Sequence, residues 1–329
     1  MDPVTFCQSA RVWIVAGKGG VGKTTVSAAF ALMAARAGLR TLIVEVEGQS
    51  GLGAKFDHLG TLDYRGAVLL PAEGGRAEIR ARTLTPDDAL VEYFETHGLR
   101  RISKRMRSTG TLDVVATAVP GLKDILVLGK IKQIERSAQH PSEGIDVIIV
   151  DAPAAGHAVT FLSSSRGLQD AVAIGPIRKQ AGDVVEMLSD PARAQVLLVT
   201  LPEETPVNEV VETAFLLEEK AGIALGPLVV NQVYPPLRLP TDVPRALARA
   251  GVAVTPVQLA DVRRARDFRA RRQELQQHQL ARLAESLPLE QLIVPAVFEP
   301  ELGLTETEVL ATALQAQVER LRTIAAVER

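Results

Sequence analysis

The sequence predicts a doubly wound α/β fold built around a mostly parallel sheet. Short runs rich in Val, Ile and Leu recur along the chain. They are apolar nearly throughout rather than alternating, which is typical of strands buried on both faces of a parallel sheet. Helical patterns fit between these runs, and this alternation of strand and helix indicates a sheet covered by helices on both sides. The clearest runs are Val12 to Ala16, Thr41 to Val46, Asp146 to Val150, Gln195 to Thr200 and Pro227 to Val230.

Two mostly helical stretches interrupt the alternation. The first covers residues from about 85 to 140, and the second, from about 160 to 193, follows the strand that ends at Asp151. With 329 residues, of which 47% are hydrophobic, the chain is long enough for one large domain with an insertion. We therefore expect residues 1–329 to form a single domain with those two stretches inserted as a helical subdomain. Further helices are predicted from Gln258 to Glu285 and from Thr305 to Val327.

Composition and charge argue against several classes of protein. The 37 Lys and Arg residues and 39 Asp and Glu residues give a formal net charge of −2, which does not favour a surface coated for nucleic acid or for an anionic membrane. The one cysteine, Cys7, cannot build a disulfide framework, a CxxC pair or a Cys/His zinc cluster within one chain. No apolar run reaches the roughly 18 residues of a membrane span, and the N-terminus lacks the apolar run of a signal peptide. We expect a cytoplasmic protein.

A glycine-rich loop lies between the first apolar run and the first helical pattern, and it fits the phosphate-loop pattern G-x-x-x-x-G-K-[ST]. Glycines let the backbone curl so that successive N–H groups point at phosphate oxygens, and the helix that starts near Lys23 adds its positive end. Lys23 is predicted to reach the β- and γ-phosphates of ATP, and the Thr24 hydroxyl is placed to bind Mg²⁺. The predicted nucleotide-binding residues of the loop are Gly17, Gly19, Gly20, Val21, Gly22, Lys23, Thr24 and Thr25.

The same loop also satisfies a dinucleotide-binding pattern, G-x-G-x-x-G, through Gly17, Gly19 and Gly22. Glu45 falls about twenty residues further on, where a dinucleotide fold keeps its ribose-binding carboxylate. Such a fold has no use for a Lys-Thr-Thr sequence at the helix start, whereas a triphosphate site needs both the cation and the hydroxyl there. An acidic residue at a second strand end, Asp151, also fits Mg²⁺ binding. The triphosphate interpretation is therefore favoured.

The stretch from Gly17 to Thr25, with its additional lysine Lys18, resembles the deviant Walker A motif of the MinD, ParA, nitrogenase iron protein and ArsA group. Within that group the chain most resembles the ArsA-type anion-transporting ATPases, which include the ATPase that targets tail-anchored membrane proteins. The resemblance covers about residues 11–235 and is closest to single-domain bacterial members. It implies Mg²⁺-dependent hydrolysis of ATP to ADP and phosphate. It also implies a homodimer, or a heterodimer with a paralogue, in which Lys18 reaches the partner's nucleotide.

The segment from Asp151 to His157 resembles the family's switch II, Asp-Thr-Ala-Pro-Thr-Gly-His. A carboxylate at the end of a buried strand needs compensation, and the resemblance implies that Asp151 holds Mg²⁺ through water. Gly156 is implied to offer its N–H to the γ-phosphate. Both threonines of the family pattern are alanine here, Ala152 and Ala155, so their hydroxyl contacts are missing. His157 matches in position, with a functional and a purely structural role equally open.

Switch I departs further from the family pattern. The family usually carries Asp-Pro-Ala after the second strand, with the aspartate positioning the attacking water. Alignment on Leu52 to Phe56 places Glu47 at that position, and Glu45 is the alternative. The segment from Val229 to Gln232 resembles the family's adenine-recognition loop, in which the amide of Asn231 would contact the base and favour ATP over GTP.

The remaining question is what the ATPase acts on. With Cys7 as the one cysteine, thiol-based arsenite binding, a zinc site and an iron–sulfur cluster are not expected. We expect ATP hydrolysis to switch a helical subdomain that handles a hydrophobic protein segment or another ligand. A MinD/ParA-like positioning switch on membrane or DNA is the alternative, although nucleic-acid binding is not favoured and membrane contact would be peripheral. An apolar helix face fits either a client groove or, as the favoured interpretation, ordinary core; it consists of Leu122, Ile125, Leu126, Leu128, Ile131 and Ile134.

Overall fold

The computed structural model describes residues 1–47, 51–96, 121–140, 144–171 and 176–321. Within these residues nine strands form one sheet. The strands are β1 (Val12–Gly17), β2 (Thr41–Val46), β3 (Ala67–Leu70), β4 (Ile79–Leu84), β5 (Val147–Ala154), β6 (Ala194–Thr200), β7 (Ala224–Leu225), β8 (Leu228–Val233) and β9 (Gln291–Pro295).

The strand order is β3-β4-β2-β5-β1-β6-β8-β9, with β7 paired to β6. Every pairing is parallel except that of β3 with β4. The predicted doubly wound, mostly parallel α/β fold is confirmed, and the five predicted strands correspond to β1, β2, β5, β6 and β8. Strand β1 lies between β5 and β6 and is parallel to both, so the carboxyl ends of these three strands lie side by side. This is where an open α/β sheet offers a crevice for a ligand.

The described helices cover both faces of the sheet. They are α1 (Pro3–Cys7), α2 (Lys23–Arg36), α3 (Pro86–Thr96), α4 (Leu122–Ala138), α5 (Ala155–Ala171), α6 (Pro176–Ser189), α7 (Glu204–Leu216), α8 (Val243–Arg249), α9 (Pro256–Ser286) and α10 (Leu304–Arg320). A 3₁₀ turn spans Gly53–Phe56, and a π turn, Leu217–Ala221, extends α7. The predicted helix from Gln258 to Glu285 is α9, whose Thr255 side chain accepts from the N–H of Gln258 in a capping box.

Two apolar layers sandwich the sheet because successive strand residues point to opposite faces. On one face Val12 and Ile14 pack with helices α4 to α7. On the other face Trp13 packs with Phe30 of α2 and with the apolar side of α10. Helix α2 is therefore buried along most of its length, which holds the loop that precedes it against the sheet.

The apolar face of α4 belongs to the first of these layers. All six of its predicted side chains, from Leu122 to Ile134, are buried. The interpretation of this face as ordinary core is confirmed, and the hypothesis of an open client groove along it is wrong for this conformation. Helix α4 packs against α3, α5 and α6. The division into a core and a helical subdomain stays a prediction, and residues 97–120 and 172–175 of that region lie outside the described part of the chain.

Candidate nucleotide site

The glycine-rich loop joins the end of β1 to the start of α2. Gly17 ends β1, and a Cβ there would lie 2.3 Å from the carbonyl oxygen of Val199 in β6, so the neighbouring strand excludes a side chain. Gly22 caps α2 with a left-handed backbone, φ 88°, that favours glycine. Between them the chain turns at Gly19 and Gly20, while the Val21 side chain is buried. The loop is thus held open as a backbone cradle at the positive end of α2.

Lys23 and Thr24 begin α2 and face the strand end that carries Asp151. The Lys23 Nζ donates to the Lys18 carbonyl oxygen at 3.2 Å, folding the side chain over the loop. Burial lowers the pKa of Lys23, and the charge of Asp151 opposes that shift. Thr25, also predicted to bind nucleotide, is buried one residue further along the helix.

Asp151 lies on β5 with only 4% of its surface exposed. Its Oδ2 accepts from the Thr24 hydroxyl at 2.7 Å, and its Oδ1 accepts from the Ser27 hydroxyl at 3.3 Å. Burial raises the pKa of Asp151, and these two hydrogen bonds and Lys23 act against it. Ser27 was not predicted as a site residue, since only the helical spacing of Thr24 and Ser27 could have indicated that both face the same strand.

The Thr24 and Asp151 oxygens fit a magnesium site. Mg²⁺ prefers oxygen ligands and is held in triphosphate sites by one or two protein oxygens together with phosphates and water. The hydroxyl and the buried carboxylate stand side by side at the mouth of the phosphate loop, where those phosphates would lie. Among the described residues no group of three or more His, Cys, Asp and Glu side chains is arranged to hold a metal ion by itself.

The two glutamates proposed for switch I occupy different environments. Glu45 is buried within β2, pairs in register with Asp151, and accepts from the Thr83 hydroxyl at 2.7 Å. Glu47 lies just past the end of β2, is exposed, and has a left-handed backbone with φ 75°. Such a backbone costs a residue with a side chain about 1 kcal/mol or more, and strain of this kind is often found at functional sites. Which of the two acts on water stays a prediction.

The Lys18 side chain is folded back onto its own chain. Its Nζ lies 2.6 Å from Oε1 of Glu209 on α7, and both side chains are partly exposed. Sequence reasoning missed Glu209, because the residue comes 191 positions after its partner. The ion pair places the additional lysine at the surface beside the loop.

Switch II continues directly from Asp151 into α5. Gly156 is the second residue of α5, so its N–H belongs to the free amides at the helix start, as its predicted contact with a phosphate requires. His157 follows in the same turn and is exposed. The contact of the Gly156 N–H with a γ-phosphate stays a prediction, and so does a functional role of His157.

Asn231 supports the phosphate loop from β8. Its Nδ2 donates to the Val21 carbonyl oxygen at 2.9 Å, and its Oδ1 accepts from the N–H of Gln232 at 2.9 Å. A Cβ at Gly22 would lie 2.4 Å from that same Nδ2, so Asn231 and Gly22 are in direct contact. With 3% of its surface exposed, Asn231 borders a cleft of about 900 Å³.

The cleft has the size and mixed lining of a small-molecule site. It runs from Gly22 past Asn231 and Gln232 to the segments around His58 and Pro300. The adenine role of Asn231 stays a prediction.

A buried amide on α9, Gln276, holds the segment beyond Asn231. Its Oε1 accepts from the N–H of Tyr234 at 2.7 Å, and its Nε2 donates to the Gln232 carbonyl oxygen at 3.1 Å. Sequence reasoning missed Gln276, because a glutamine within a long polar helix gives no signal of its own. These bonds fix the rim of the cleft to the long helix.

Comparison with known proteins places this site in a family. The model of a family described as anion-transporting ATPase, ArsA type, matches residues 10–180. The chain is 33% identical over 307 residues to the protein named ATPase BagA of Mycobacterium tuberculosis, covering 87% of each chain. It is 23% identical over 282 residues to ATPase GET3B of Arabidopsis thaliana, covering 71% of this chain and 67% of the relative. It is 28% identical over 223 residues to the arsenical pump-driving ATPase of Escherichia coli, covering 65% of this chain and 33% of the relative.

The family match includes the glycine-rich loop, both glutamates and the segment from Asp151 to His157, all of which lie within residues 10–180. The match to the mycobacterial ATPase extends the likeness over most of the chain. The resemblance inferred from the motifs is thereby confirmed. The chain belongs to the ArsA family of anion-transporting ATPases.

Proposed function

We propose that this protein binds ATP with Mg²⁺ and hydrolyses it to ADP and phosphate. The observation that carries the proposal is the contact between Thr24 and Asp151, 2.7 Å apart, at the mouth of the phosphate loop. A hydroxyl from the helix start and a carboxylate from the neighbouring strand end are the two protein groups that a triphosphate site needs beside its lysine. Membership of an ATPase family supports the same conclusion.

Each loop residue then has a defined task in binding. The N–H groups from Gly17 to Thr25 and the Lys23 ammonium hold the phosphates. Thr24, and Asp151 through water, hold Mg²⁺, which when bound neutralises charge on the β- and γ-phosphates. The Gly156 N–H contacts the γ-phosphate, and Asn231 lies at the base end of the cleft.

For hydrolysis, Glu47 orients the attacking water, with Glu45 as the alternative. Exposure just past the end of β2 supports Glu47, whereas the burial of Glu45 and its bond with Thr83 support a role within the sheet. Water attacks the γ-phosphorus, the bond to the β–γ bridging oxygen breaks, and ADP and phosphate leave. The chain supplies position and charge rather than covalent chemistry.

We further propose that the active form is a dimer, of two copies or with a paralogue, and that Lys18 acts on the partner's nucleotide. The Lys18–Glu209 ion pair must open for this to happen. Both side chains are partly exposed, at 43% and 37%, and ion pairs of this kind are worth about 1 kcal/mol or less, so little opposes the change.

A mixing experiment tests the role of Lys18. We expect Lys18→Ala and Glu47→Gln each to bind ATP and to lose most of the hydrolysis rate, while Lys220→Ala, an exposed lysine beyond α7, keeps it. If Lys18 acts in trans, a mixed dimer contains one site with both an intact Glu47 and the partner's intact Lys18. Equal mixing should therefore restore about a quarter of the wild-type rate.

The outcomes of this experiment separate the parts of the proposal. No recovery, although the two variants form a mixed dimer, would show that Lys18 acts on its own nucleotide. Wild-type turnover by Lys18→Ala would remove its catalytic role, and wild-type turnover by Glu47→Gln would shift the water-orienting role to Glu45. Absence of ATP hydrolysis by the wild-type protein would overturn the proposed function itself.

We propose that the nucleotide state controls a ligand bound by the helical region, and that the ligand is a hydrophobic protein segment rather than arsenite. The one cysteine, Cys7, is fully buried, which leaves no thiol for a metalloid. The described face of α4 lies in the core, so the ligand must bind elsewhere or to another conformation. Titration of a fluorescent apolar helical peptide, with ADP and with a non-hydrolysable ATP analogue, tests this. ATP-dependent binding to anionic vesicles or to DNA, without peptide binding, would instead support a positioning switch.

A further inference from the structure

A short segment at the rim of the cleft, residues 232–235, begins with an unusual backbone. Gln232 has a left-handed conformation with φ 58°, which is unfavourable for a residue with a side chain. Such a backbone persists only where its surroundings fix it. Gln232 also lines the cleft beside Asn231. The contacts that fix this rim segment therefore help to determine the shape of the cleft.

Helix α9 supplies these contacts. Gln276 is 4% exposed and uses both ends of its amide, accepting from the Tyr234 N–H at 2.7 Å and donating to the Gln232 carbonyl oxygen at 3.1 Å. Earlier on the same helix, the Arg269 guanidinium donates to the Pro235 carbonyl oxygen at 3.0 Å. It also lies 4.2 Å from the centre of the Tyr234 ring. The rim segment is thus fixed to α9 at several points along its length.

Hydrogen bonds continue from the rim segment to the phosphate loop. The N–H of Gln232 donates to Asn231 Oδ1 at 2.9 Å, and Asn231 Nδ2 donates to the Val21 carbonyl oxygen at 2.9 Å. Gln232 is therefore held at its N–H by Asn231 and at its carbonyl by Gln276. A rotation of the Gln232 backbone would break the bond that orients the Asn231 amide. These bonds use one hydrogen of Nδ2 and one lone pair of Oδ1, which leaves one of each for a ligand.

We propose that Gln276 is a positioning residue for recognition of the base, acting through Gln232 on the Asn231 amide. Adenine presents a donor beside an acceptor, whereas guanine presents two acceptors at the same edge, so an amide in a fixed orientation matches adenine. The match requires that the amide be held firmly by its supporting residues. This inference rests on the proposed binding of ATP, with its base in the cleft. It adds a determinant of specificity from a helix that carries none of the nucleotide-binding motifs.

The test compares the affinities for ATP and GTP. Gln276→Met puts an unbranched apolar side chain in place of the amide, so the rim segment loses both hydrogen bonds. We expect the dissociation constant of Mg-ATP to rise about tenfold and that of Mg-GTP to change less than about twofold, because only the adenine contact depends on the oriented amide. The turnover number at saturating ATP should stay within about twofold of the wild-type value, since the base is remote from the reacting phosphate.

A second glutamine of α9 provides a matched control. Gln279 is also buried, but its Oε1 has no hydrogen-bond partner among the described residues. Gln279→Met should leave the ratio of the ATP and GTP dissociation constants at its wild-type value. Equal weakening of both nucleotides by Gln276→Met, an unchanged ratio, or the same change of ratio in Gln279→Met would overturn the proposal.

Hydrogen exchange on the wild-type protein gives a measurement that needs no variant. Saturating Mg-ATP should slow amide exchange in the rim segment more than saturating Mg-GTP does, because a base bound to Asn231 opposes local opening. Equal exchange with the two nucleotides, or equal affinity of the wild-type protein for ATP and GTP, would contradict the role of Gln276 and leave the proposed ATPase activity in place. Failure of the wild-type protein to bind ATP would instead overturn the proposed function, and this inference with it.

Discussion

Asp151 combines deep burial with an ionisable side chain, and this combination has a measurable consequence for the apo protein. Burial raises the pKa of Asp151, so the folded protein keeps the proton to a higher pH than the unfolded chain does. The free energy of unfolding therefore falls as the pH rises through the folded-state pKa of this residue. The residue proposed to hold Mg²⁺ therefore weakens the fold of the nucleotide-free protein at neutral pH.

We predict that Asp151→Asn gains stability relative to the wild-type apo protein as the pH is raised from about 4 to about 8. The same variant should lose the increase in melting temperature that Mg-ATP gives to the wild-type protein. Thermal unfolding across this pH range, with and without Mg-ATP, measures both effects.

Asp146 provides a control of opposite sign. Its hydrogen bonds with Arg40 lower its pKa, so its contribution to stability is present at neutral pH and is lost as the pH falls. Asp146→Asn should therefore lose stability relative to the wild-type protein as the pH rises. The same pH trend in both variants would contradict the assignment of the Asp151 effect to burial.

At the scale of single residues, the contiguous part of the site could be predicted and its distant partners could not. The loop from Gly17 to Thr25 is one local structure, and its residue types directly reflect its chemistry. Glu209 and Gln276 reach the site only through tertiary packing, and nothing in their own surroundings in the sequence marks them. To predict the contacts of these two residues, one must know the register of the strands and which face each helix turns towards the sheet.

At the scale of elements, ion pairs connect the carboxyl-terminal end of α4 to the segments that precede the central strands β1 and β6. Its fully buried Glu135 is shared by Arg193, which is 10% exposed, and Arg11, which is 43% exposed. A buried acid with two cationic partners stabilises the position of the helix only while all three charges are present.

We predict that Glu135→Gln lowers the free energy of unfolding by about 3 kcal/mol, because Arg193 then loses its buried partner and keeps only the longer pair with the exposed Glu186, at 3.6 Å. Urea unfolding measures this loss. Glu308→Gln removes an exposed acid 3.9 Å from Arg36 and should cost less than about 1 kcal/mol. A similar small loss of stability for both variants would contradict the prediction, because it would mean that water takes the place of the Glu135 carboxylate beside the two arginines.

The strands that could be predicted are those buried on both faces. Strands β1, β2, β5, β6 and β8 lie in the middle of the sheet and consist almost wholly of apolar residues. Strand β4 lies nearer the edge of the sheet. Its buried residues alternate with Arg80 and Arg82, so it has no continuous apolar run and was not predicted as a strand. Strand β3 is apolar throughout but has only four residues, and so short an apolar run does not indicate a strand by itself.

At the scale of the whole molecule, the proposed dimer depends on releasing Lys18 from Glu209. Glu209 uses Oε1 for this pair, while its Oε2 is buried and has no hydrogen-bond partner among the described residues. Because both side chains of the pair are partly exposed, opening it costs each subunit about 1 kcal/mol or less when the dimer forms.

We predict that Glu209→Gln lowers the dissociation constant of an ATP-dependent homodimer by up to about thirtyfold, since each subunit no longer loses about 1 kcal/mol in releasing Lys18 and the dimer contains two such pairs. Sedimentation velocity with a non-hydrolysable ATP analogue gives the dissociation constant. Glu212→Gln, an exposed acid on the same helix, should have no effect. Weaker dimerisation of Glu209→Gln would instead place Glu209 among the groups that hold Lys18 in the dimer.

The contact between Gly22 and Asn231 has a consequence for how this site can change over time. A side chain at residue 22 would collide with the amide of Asn231, and a shorter side chain at residue 231 would leave the Val21 carbonyl without its donor. Neither position can therefore vary alone without disturbing the phosphate cradle. The loop residue Gly22 and its partner Asn231 on β8, although about two hundred positions apart in the chain, are expected to be inherited as a pair.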